Sequence, residues 1–206
     1  MSQVCVCVFA KAPVAGKVKT RLIPTLTAQQ ACALHESLLQ HCISGIQNNH
    51  WQSQLWSTGI QHPYIKQSAQ QYSMSLYAQQ GKDLGERMYN AVQQSLKNFS
   101  YVIIVGTDCP DINTRVIEEA IKSLRAGSEV VLAPAEDGGY VLIGLSRDVE
   151  CLFKDMQWGT DQVLAITRDR LKQAGISWHE LASQRDIDRP EDLEFLKQHY
   201  PDLFIQ

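Results

Sequence analysis

Four basic side chains are crowded into one short segment near the start of the chain. They are Lys11, Lys17, Lys19 and Arg21, and Gly16 lies among them. Lysine and arginine supply the charge and the N–H donors that phosphates need, and glycine lets backbone N–H groups turn toward an anion. The spacing is neither that of a Walker A loop nor that of the G-x-G-x-x-G fingerprint. The segment is either a phosphate-binding loop or an ordinary solvated basic loop, and its place directly after an apolar run favours phosphate binding.

A candidate metal ligand follows the apolar run YVIIV, in the sequence GTDCPD. Asp108 comes directly after this predicted strand, where a carboxylate can face a ligand cleft. Mg²⁺ is usually held by one or two carboxylates together with substrate phosphates, so few acidic residues are needed. Asp108 is therefore predicted to bind Mg²⁺ or Mn²⁺. Asp111 either assists it or caps a helix that begins near Thr114.

A second acidic group lies near the end of the chain, in the sequence RDIDRPEDL. Asp186 and Asp188 flank Ile187, so in an extended chain their carboxylates share one face. Judged by spacing alone, they either join Asp108 around one cation or favour the N-terminus of a following helix.

A glycine pair marks a further loop, in the sequence AEDGGYVLIGL. Adjacent glycines between apolar runs are typical of a hairpin turn, and they also allow a ligand to approach the backbone closely. Both interpretations are compatible. The predicted acceptor-binding residues are the four of this turn: Glu136, Asp137, Gly138 and Gly139.

Two weaker candidates lie elsewhere. Gly85 and Arg87, in GKDLGERM, either line the donor site or belong to a capped helix start. Trp158 is either a wall of the substrate site or a buried tryptophan beside a helix cap.

Apolar runs and helical spacing place these residues on a regular framework. Strands are predicted over 4–9, 51–57, 75–78, 101–105, 130–133, 140–145 and 177–181. Helices are predicted over 27–47, 83–97, 114–124, 161–174 and 190–199, whereas 62–73 receives no element. Alternating strands and helices predict a mainly parallel sheet with helices on both faces, that is, one three-layer α/β/α domain over 1–206. Ligands of such open sheets bind beyond the carboxyl ends of the strands, where the basic loop and Asp108 are predicted to lie.

Composition excludes several classes of protein. The 206 residues carry a net charge of −3, which gives no general attraction to nucleic acid or to an anionic membrane. No apolar run approaches the ~18 residues of a membrane span. Residues 1–10 lack a basic leader and a cleavage site, and are interpreted as a strand rather than a signal peptide. The six cysteines form no C-x-x-C pair and are expected to be buried thiols in the cytoplasm.

Five motifs together resemble one bacterial family, the radical-SAM/selenodomain-associated transferases, and span nearly the whole chain. They are FAKAPVAGKVKTRL, QGKDLGERM, GTDCPD, APAEDGGYVLIGL and RDIDRPEDL. The resemblance implies a glycosyltransferase-A-like fold. More distantly, the chain is similar to the nucleotidyltransferases that make molybdenum guanine dinucleotide, and to those that act on phospholactate or phosphoenolpyruvate.

The resemblance also implies roles for individual residues. Lys11, Lys17, Lys19 and Arg21 would bind phosphate, and Asp108, Asp186 and Asp188 would bind the metal. Among them, Lys17, Arg21 and Asp108 are the predicted catalytic residues.

Three functions are compatible with these assignments. The first is transfer of a nucleoside monophosphate from a triphosphate to a small phosphorylated or carboxylate acceptor. The second is glycosyl transfer from a nucleotide-sugar, with Glu136 or Asp137 as the base. The third is a nucleotide-binding module without catalysis. The expected partners are a nucleotide donor and a small-molecule acceptor.

Overall fold

A computed structural model describes residues 3–23 and 25–204. The strands are β1 Val4–Ala10, β2 Gln52–Ser57, β3 Ser75–Ala78, β4 Tyr101–Gly106, β5 Val130–Pro134, β6 Tyr140–Leu145 and β7 Trp178–Glu180. The helices are α1 Ala28–Gly45, α2 Pro63–Gln71, α3 Leu84–Leu96, α4 Thr114–Arg125, α5 Val163–Gln173 and α6 Asp192–His199. Short 3₁₀ turns cover Thr20–Leu22, Glu150–Leu152 and Pro201–Leu203.

The strands form one seven-stranded sheet in the order β3-β2-β1-β4-β6-β5-β7. β6 runs antiparallel to β4 and β5, and the other pairs are parallel. The predicted mainly parallel sheet is therefore confirmed.

Side chains of β1 alternate between the two faces of the sheet, and each face is covered by helices. Val6 and Val8 point into a core that includes Ile43 of α1 and residues of α2 and α4. Cys7 points to the other face, toward Val92 of α3 and residues of α5. The expected three layers follow from this alternation, because each face of a central strand needs its own apolar cover. All six cysteines carry free thiols, but the expectation that all are buried is wrong, because Cys32 is partly exposed and Cys151 is exposed.

A third, smaller core holds the two chain segments that carry most of the predicted site. Leu22 after β1 and Ile187 of the late acidic group are both 0% exposed, and they share this core with Leu34 of α1 and Leu196 of α6. The basic loop and the late acidic loop are thereby fixed on the same side of α1.

Three local expectations were wrong or incomplete. The segment given no element contains α2, which begins with Pro63 and buries Ile65 and Ala69, four positions apart. The helix was missed because its apolar stripe is narrow and most of its other residues are polar, several of them glutamines. Asp111 does not cap α4, because Asn113 does so by accepting from two backbone N–H groups. Instead, Asp111 accepts a hydrogen bond from the Tyr200 hydroxyl. The last helix begins at Asp192, slightly later than expected.

Across the described ranges, no helix is long and apolar enough to cross a membrane.

Candidate functional site

The basic loop and the Asp108 loop leave the sheet side by side. β1 and β4 are neighbouring parallel strands, and Phe9 pairs with Gly106 near their carboxyl ends. The next residues of both strands therefore emerge at the same edge. A cavity of about 570 Å³ opens there, a size typical of small-molecule sites. Its charged lining residues are Lys11, Lys17, Lys19, Arg21, Arg87, Asp108 and Asp188.

Lys19 and Asp108 form an ion pair in the wall of this cavity. Lys19 Nζ lies 2.6 Å from Asp108 Oδ1, and the side chains are 2% and 48% exposed, respectively. The Lys19 ammonium also donates to the carbonyl oxygen of Ile187. The Ile187 N–H donates in turn to the carbonyl oxygen of Asp108 at 2.8 Å. Three loops that are distant in the sequence are thus tied together at one point.

The charge state of Asp108 follows from these neighbours. Burial opposes ionisation, but the positive charge of Lys19, with a smaller contribution from His35, holds the pKa of this carboxyl below its usual value. Asp108 therefore presents a carboxylate, half exposed, to the cavity at neutral pH.

A second ion pair joins the basic loop to the late acidic loop. Arg21 Nη1 lies 2.6 Å from Asp188 Oδ2, with the side chains 51% and 29% exposed. The capping alternative for Asp188 is wrong, because it is Asp192 that accepts from the N–H groups of Asp188 and Arg189, at 3.0 and 2.8 Å.

Asp186 lies in a strongly negative environment. Burial and the charges of Asp137, Asp108 and Asp188 raise the pKa of Asp186 to about 6. Even so, no three His, Cys, Asp or Glu side chains in the described part of the chain form a ready-made metal site. Asp108 and Asp188 are instead each paired with a cation of the basic loop, and Asp186 is not among the residues that line the cavity.

His35 lines the cavity but was not singled out from the sequence. It is 4% exposed, and its Nε2 lies 3.0 Å from the carbonyl oxygen of Lys11. Burial is the main cause that lowers its pKa. Its position four residues after Ala31 and three before Leu38, on the apolar stripe of α1, was the available signal.

Gln79 is a second lining residue that sequence reasoning missed. Its amide nitrogen donates to the carbonyl oxygens of Ala10 at 3.3 Å and Trp56 at 2.9 Å. It therefore joins the carboxyl ends of β1 and β2. The sequence offers no signal for it, because it lies in a run of ordinary polar residues.

Gly85 does not line the cavity, whereas Arg87 does. A Cβ added at Gly85 would lie 2.3 Å from the Phe153 carbonyl oxygen and 2.5 Å from Trp158 Nε1. Gly85 therefore allows α3 to pack against Trp158. Trp158 is partly buried, contacts Tyr140 edge-on and lines the cavity. Its contact with a substrate stays a prediction.

The turn at 136–139 joins β5 and β6, as the hairpin interpretation predicted. Asp137 accepts from the Gly139 N–H at 3.0 Å, and Gly138 has a φ of +89°, with Asp161 too close to admit a side chain. None of the four turn residues lines the cavity, nor does Gly16. Their contact with a ligand stays a prediction.

Comparison with known protein families shows which family this chain belongs to. Residues 39–160 match the family described as "Uncharacterized protein conserved in bacteria (DUF2064)", which is more than half of the 206 residues. The chain belongs to this family. No protein of curated function matches the sequence.

Solved structures extend the comparison for this DUF2064 protein. A candidate nucleotide-diphospho-sugar transferase from Desulfovibrio desulfuricans G20 is 27% identical, with a TM-score of 0.86 over 97% of this chain and 90% of that one. A cytidylyltransferase from Leptospira borgpetersenii serovar Hardjo-bovis is 14% identical, with a TM-score of 0.62 over 100% and 91% of the two chains.

A third structure contains a metal and a nucleotide. It is glucosyl-3-phosphoglycerate synthase from Mycobacterium tuberculosis, in complex with Mn²⁺, uridine diphosphate and glucosyl-3-phosphoglycerate. It is 11% identical, with a TM-score of 0.59 over 98% of this chain and 78% of that one. The fold is thus the one that these transferases share, which agrees with the expected enzyme class.

Proposed function

We propose that this chain is a metal-dependent nucleotidyltransferase, which moves a nucleoside monophosphate from a nucleoside triphosphate to a small phosphorylated or carboxylate acceptor. The observation that carries the proposal is the convergence of five basic side chains and the Asp108 carboxylate on one cavity at the carboxyl edge of the sheet. The names of the similar structures support a nucleotide-using transferase. The finer resemblance, to radical-SAM-associated members, rests on the five sequence motifs.

Lys11 and Lys17 are the best placed to bind the triphosphate. Both are exposed and line the cavity, and neither has a carboxylate within ion-pair distance in the described residues. Their charges are available to an incoming anion. Arg87 lines the same cavity from α3, where its Nε donates to the carbonyl oxygen of Gly81 at 3.0 Å.

The acidic residues fit a divalent cation by their donor chemistry. Asp108, Asp186 and Asp188 offer hard carboxylate oxygens, and burial together with the charges of neighbouring carboxylates raises the pKa of Asp186. Mg²⁺ and Mn²⁺ accept such oxygens and complete their coordination with phosphates and water. A bound ion would neutralise phosphate charge and orient the triphosphate.

The proposed reaction needs no protein nucleophile. An oxygen of the acceptor attacks the α-phosphorus, the bond to the bridging α–β oxygen breaks, and pyrophosphate leaves with the electron pair. A phosphate or carboxylate acceptor is already anionic at neutral pH, so no base has to remove a proton. Lys11 and Lys17 would act by holding the phosphates and offsetting their growing negative charge, which is catalysis by positioning and electrostatics.

The acceptor would enter from the side of Tyr140 and Trp158. Both residues line the cavity, and the turn at 136–139 lies directly before Tyr140. In this proposal Glu136 and Asp137 border the acceptor, and the two glycines let the turn lie close to it.

A second candidate function is glycosyl transfer from a nucleotide-sugar. The name of the 27% identical structure favours it, since that protein is a candidate nucleotide-diphospho-sugar transferase. The same cavity would then hold a diphosphate, and Glu136 or Asp137 would serve as the base.

Donor binding and product release separate the two functions. The protein is screened by thermal shift with the nucleoside triphosphates and with nucleotide diphosphate-sugars, each with Mg²⁺ or Mn²⁺. Pyrophosphate release is then measured against a panel of phosphorylated acids and carboxylates. The proposal predicts stabilisation by a triphosphate and acceptor-dependent pyrophosphate release. Stabilisation by nucleotide-sugars alone, with no pyrophosphate across the panel, supports glycosyl transfer instead.

A further inference from the structure

Two of the three carboxylates proposed to hold the metal form ion pairs with cations of the basic loop. Lys19 forms an ion pair with Asp108, and Arg21 forms one with Asp188, each with an N···O distance of 2.6 Å. Two of the predicted phosphate-binding side chains are thus paired with two of the predicted metal-binding side chains.

The ion pair between Lys19 and Asp108 is buried on the side of the lysine. The Lys19 side chain is 2% exposed, and its ammonium has two anionic or polar partners, Asp108 and the carbonyl oxygen of Ile187. A buried ammonium is stable only when it is paired in this way. While it stays on Asp108, Lys19 occupies one oxygen of the carboxylate and has little charge to offer a phosphate.

Two other lysines of the same loop behave differently. Lys11 and Lys17 line the same cavity but are exposed, and among the described side chains neither meets an acid within 4.0 Å. The loop therefore contains two cations available to a ligand and two that are already paired.

We infer that Lys19 and Arg21 are internal counter-ions, which occupy Asp108 and Asp188 in the donor-free protein, so that a divalent cation must displace them in order to bind. The inference rests on the proposed function only for the identity of the anionic donor. A donor's phosphates give the displaced cations new partners, so each ligand favours the binding of the other. Because such coupling is reciprocal, the metal strengthens donor binding by the same factor.

The test is a Mn²⁺ titration of the full-length, donor-free protein, in which free Mn²⁺ is followed by its electron paramagnetic resonance signal. Lys19→Met removes the buried counter-ion and Arg21→Gln the exposed one. Lys17→Met is the matched control, because it removes a cation from the same loop and cavity that has no carboxylate partner.

The inference predicts tighter Mn²⁺ binding in both counter-ion variants than in the control. Lys19→Met is expected to lower the Kd for Mn²⁺ by roughly tenfold or more, since a closely held, buried cation is harder to displace. Arg21→Gln is expected to lower it about two- to fivefold, as for an exposed ion pair. If neither variant binds Mn²⁺ more tightly than Lys17→Met, the inference is overturned, and the metal does not compete with these side chains.

The test still gives a result if one of the variants fails to fold. Circular dichroism establishes which variants are folded, and Arg21→Gln changes a side chain that is 51% exposed, so it decides the matter alone if Lys19→Met does not fold. Failure of the proposed function is seen separately, as absence of acceptor-dependent pyrophosphate release by a protein whose Mn²⁺ affinities still follow the predicted order.

Discussion

The backbone N–H of Ile187 donates a 2.8 Å hydrogen bond to the carbonyl oxygen of Asp108. This contact fixes the late acidic loop against the loop that follows β4. The carbonyl oxygen of Ile187 accepts a hydrogen bond from the Lys19 ammonium. The side chain of Ile187 is fully buried in the same core as Leu22. One apolar residue between two aspartates therefore sets the spacing between the predicted metal ligands and the basic loop.

Truncation of Ile187 tests this role. Ile187→Ala is expected to lower the free energy of unfolding by about 2–4 kcal/mol, because it leaves a cavity in the smallest core. It is also expected to weaken metal-dependent donor binding, measured by isothermal titration calorimetry. Leu196→Ala is the matched control, since Leu196 is equally buried in that core but belongs to α6 rather than to a loop of the site. Equal losses of donor affinity in both variants would mean that general destabilisation, not loop position, is responsible.

Lys17 provides a test of phosphate binding without a change in stability. Lys17→Met is expected to raise the Kd of a triphosphate donor by about ten- to a hundredfold, as for the loss of one charge-assisted hydrogen bond. The free energy of unfolding should stay within about 0.5 kcal/mol, because the side chain is exposed. Lys122→Met, on the exposed surface of α4, controls for net charge. A donor Kd equal in the two variants contradicts the assignment of Lys17.

Asp108 is the residue whose loss should affect both metal and stability. Asp108→Asn is expected to abolish the thermal stabilisation that Mn²⁺ gives and to lower turnover by about a hundredfold or more. It also leaves the buried Lys19 ammonium without its carboxylate, at a cost of about 1–3 kcal/mol in urea unfolding. Glu119→Gln removes an exposed carboxylate from α4 and should change neither property. Retention of the Mn²⁺-dependent shift by Asp108→Asn would remove Asp108 from the metal site.

Gly85 is expected to matter for packing rather than for the donor. Gly85→Ala would place a Cβ 2.3 Å from the Phe153 carbonyl oxygen. Because this overpacks the contact, we expect the free energy of unfolding to fall by about 1–3 kcal/mol. Gly106→Ala is the control, because the nearest atom to its added Cβ lies 3.9 Å away. The stability of both variants is measured by thermal unfolding. If Gly85→Ala is as stable as Gly106→Ala, the close contact with Trp158 is contradicted.

Asp186 should make stability depend on pH in an unusual direction. Its folded-state pKa of about 6 lies above the ordinary aspartate value, so folding favours its protonated form. The stability that this gives is present below about pH 4 and is lost as the pH rises toward 6. Asp186→Asn is therefore expected to stabilise the protein at pH 7–8 and to have little effect near pH 4, as measured by urea unfolding at each pH. A stabilisation that is the same at both pH values would show that charge at Asp186 is not the cause.

The framework of this fold was largely predictable because its strongest signals are local. Short, continuous apolar runs such as Val4–Ala10 and Tyr101–Gly106, rich in β-branched residues, favour buried strands, and Thr27 caps α1 as expected. The missed helix α2 shows the limit, since its buried face rests on few residues in a polar segment.

The site was less predictable, because it depends on pairing between distant loops. Nothing in the spacing of the basic loop distinguishes Lys19, which is buried on Asp108, from Lys17, which is exposed. Gly85 was predicted to line the donor site or to belong to a capped helix start, whereas its contact with Trp158 depends on the packing of a segment far along the chain. Such relationships require the tertiary structure.

The most direct test of the central claim is a crystal structure with Mn²⁺ and a non-hydrolysable nucleoside triphosphate, with anomalous diffraction used to locate the metal. We expect Mn²⁺ at Asp108, with the triphosphate beside Lys11 and Lys17 in the cavity at the carboxyl edge of the sheet. Metal and nucleotide found elsewhere, or a triphosphate bound without any metal near Asp108, would contradict it.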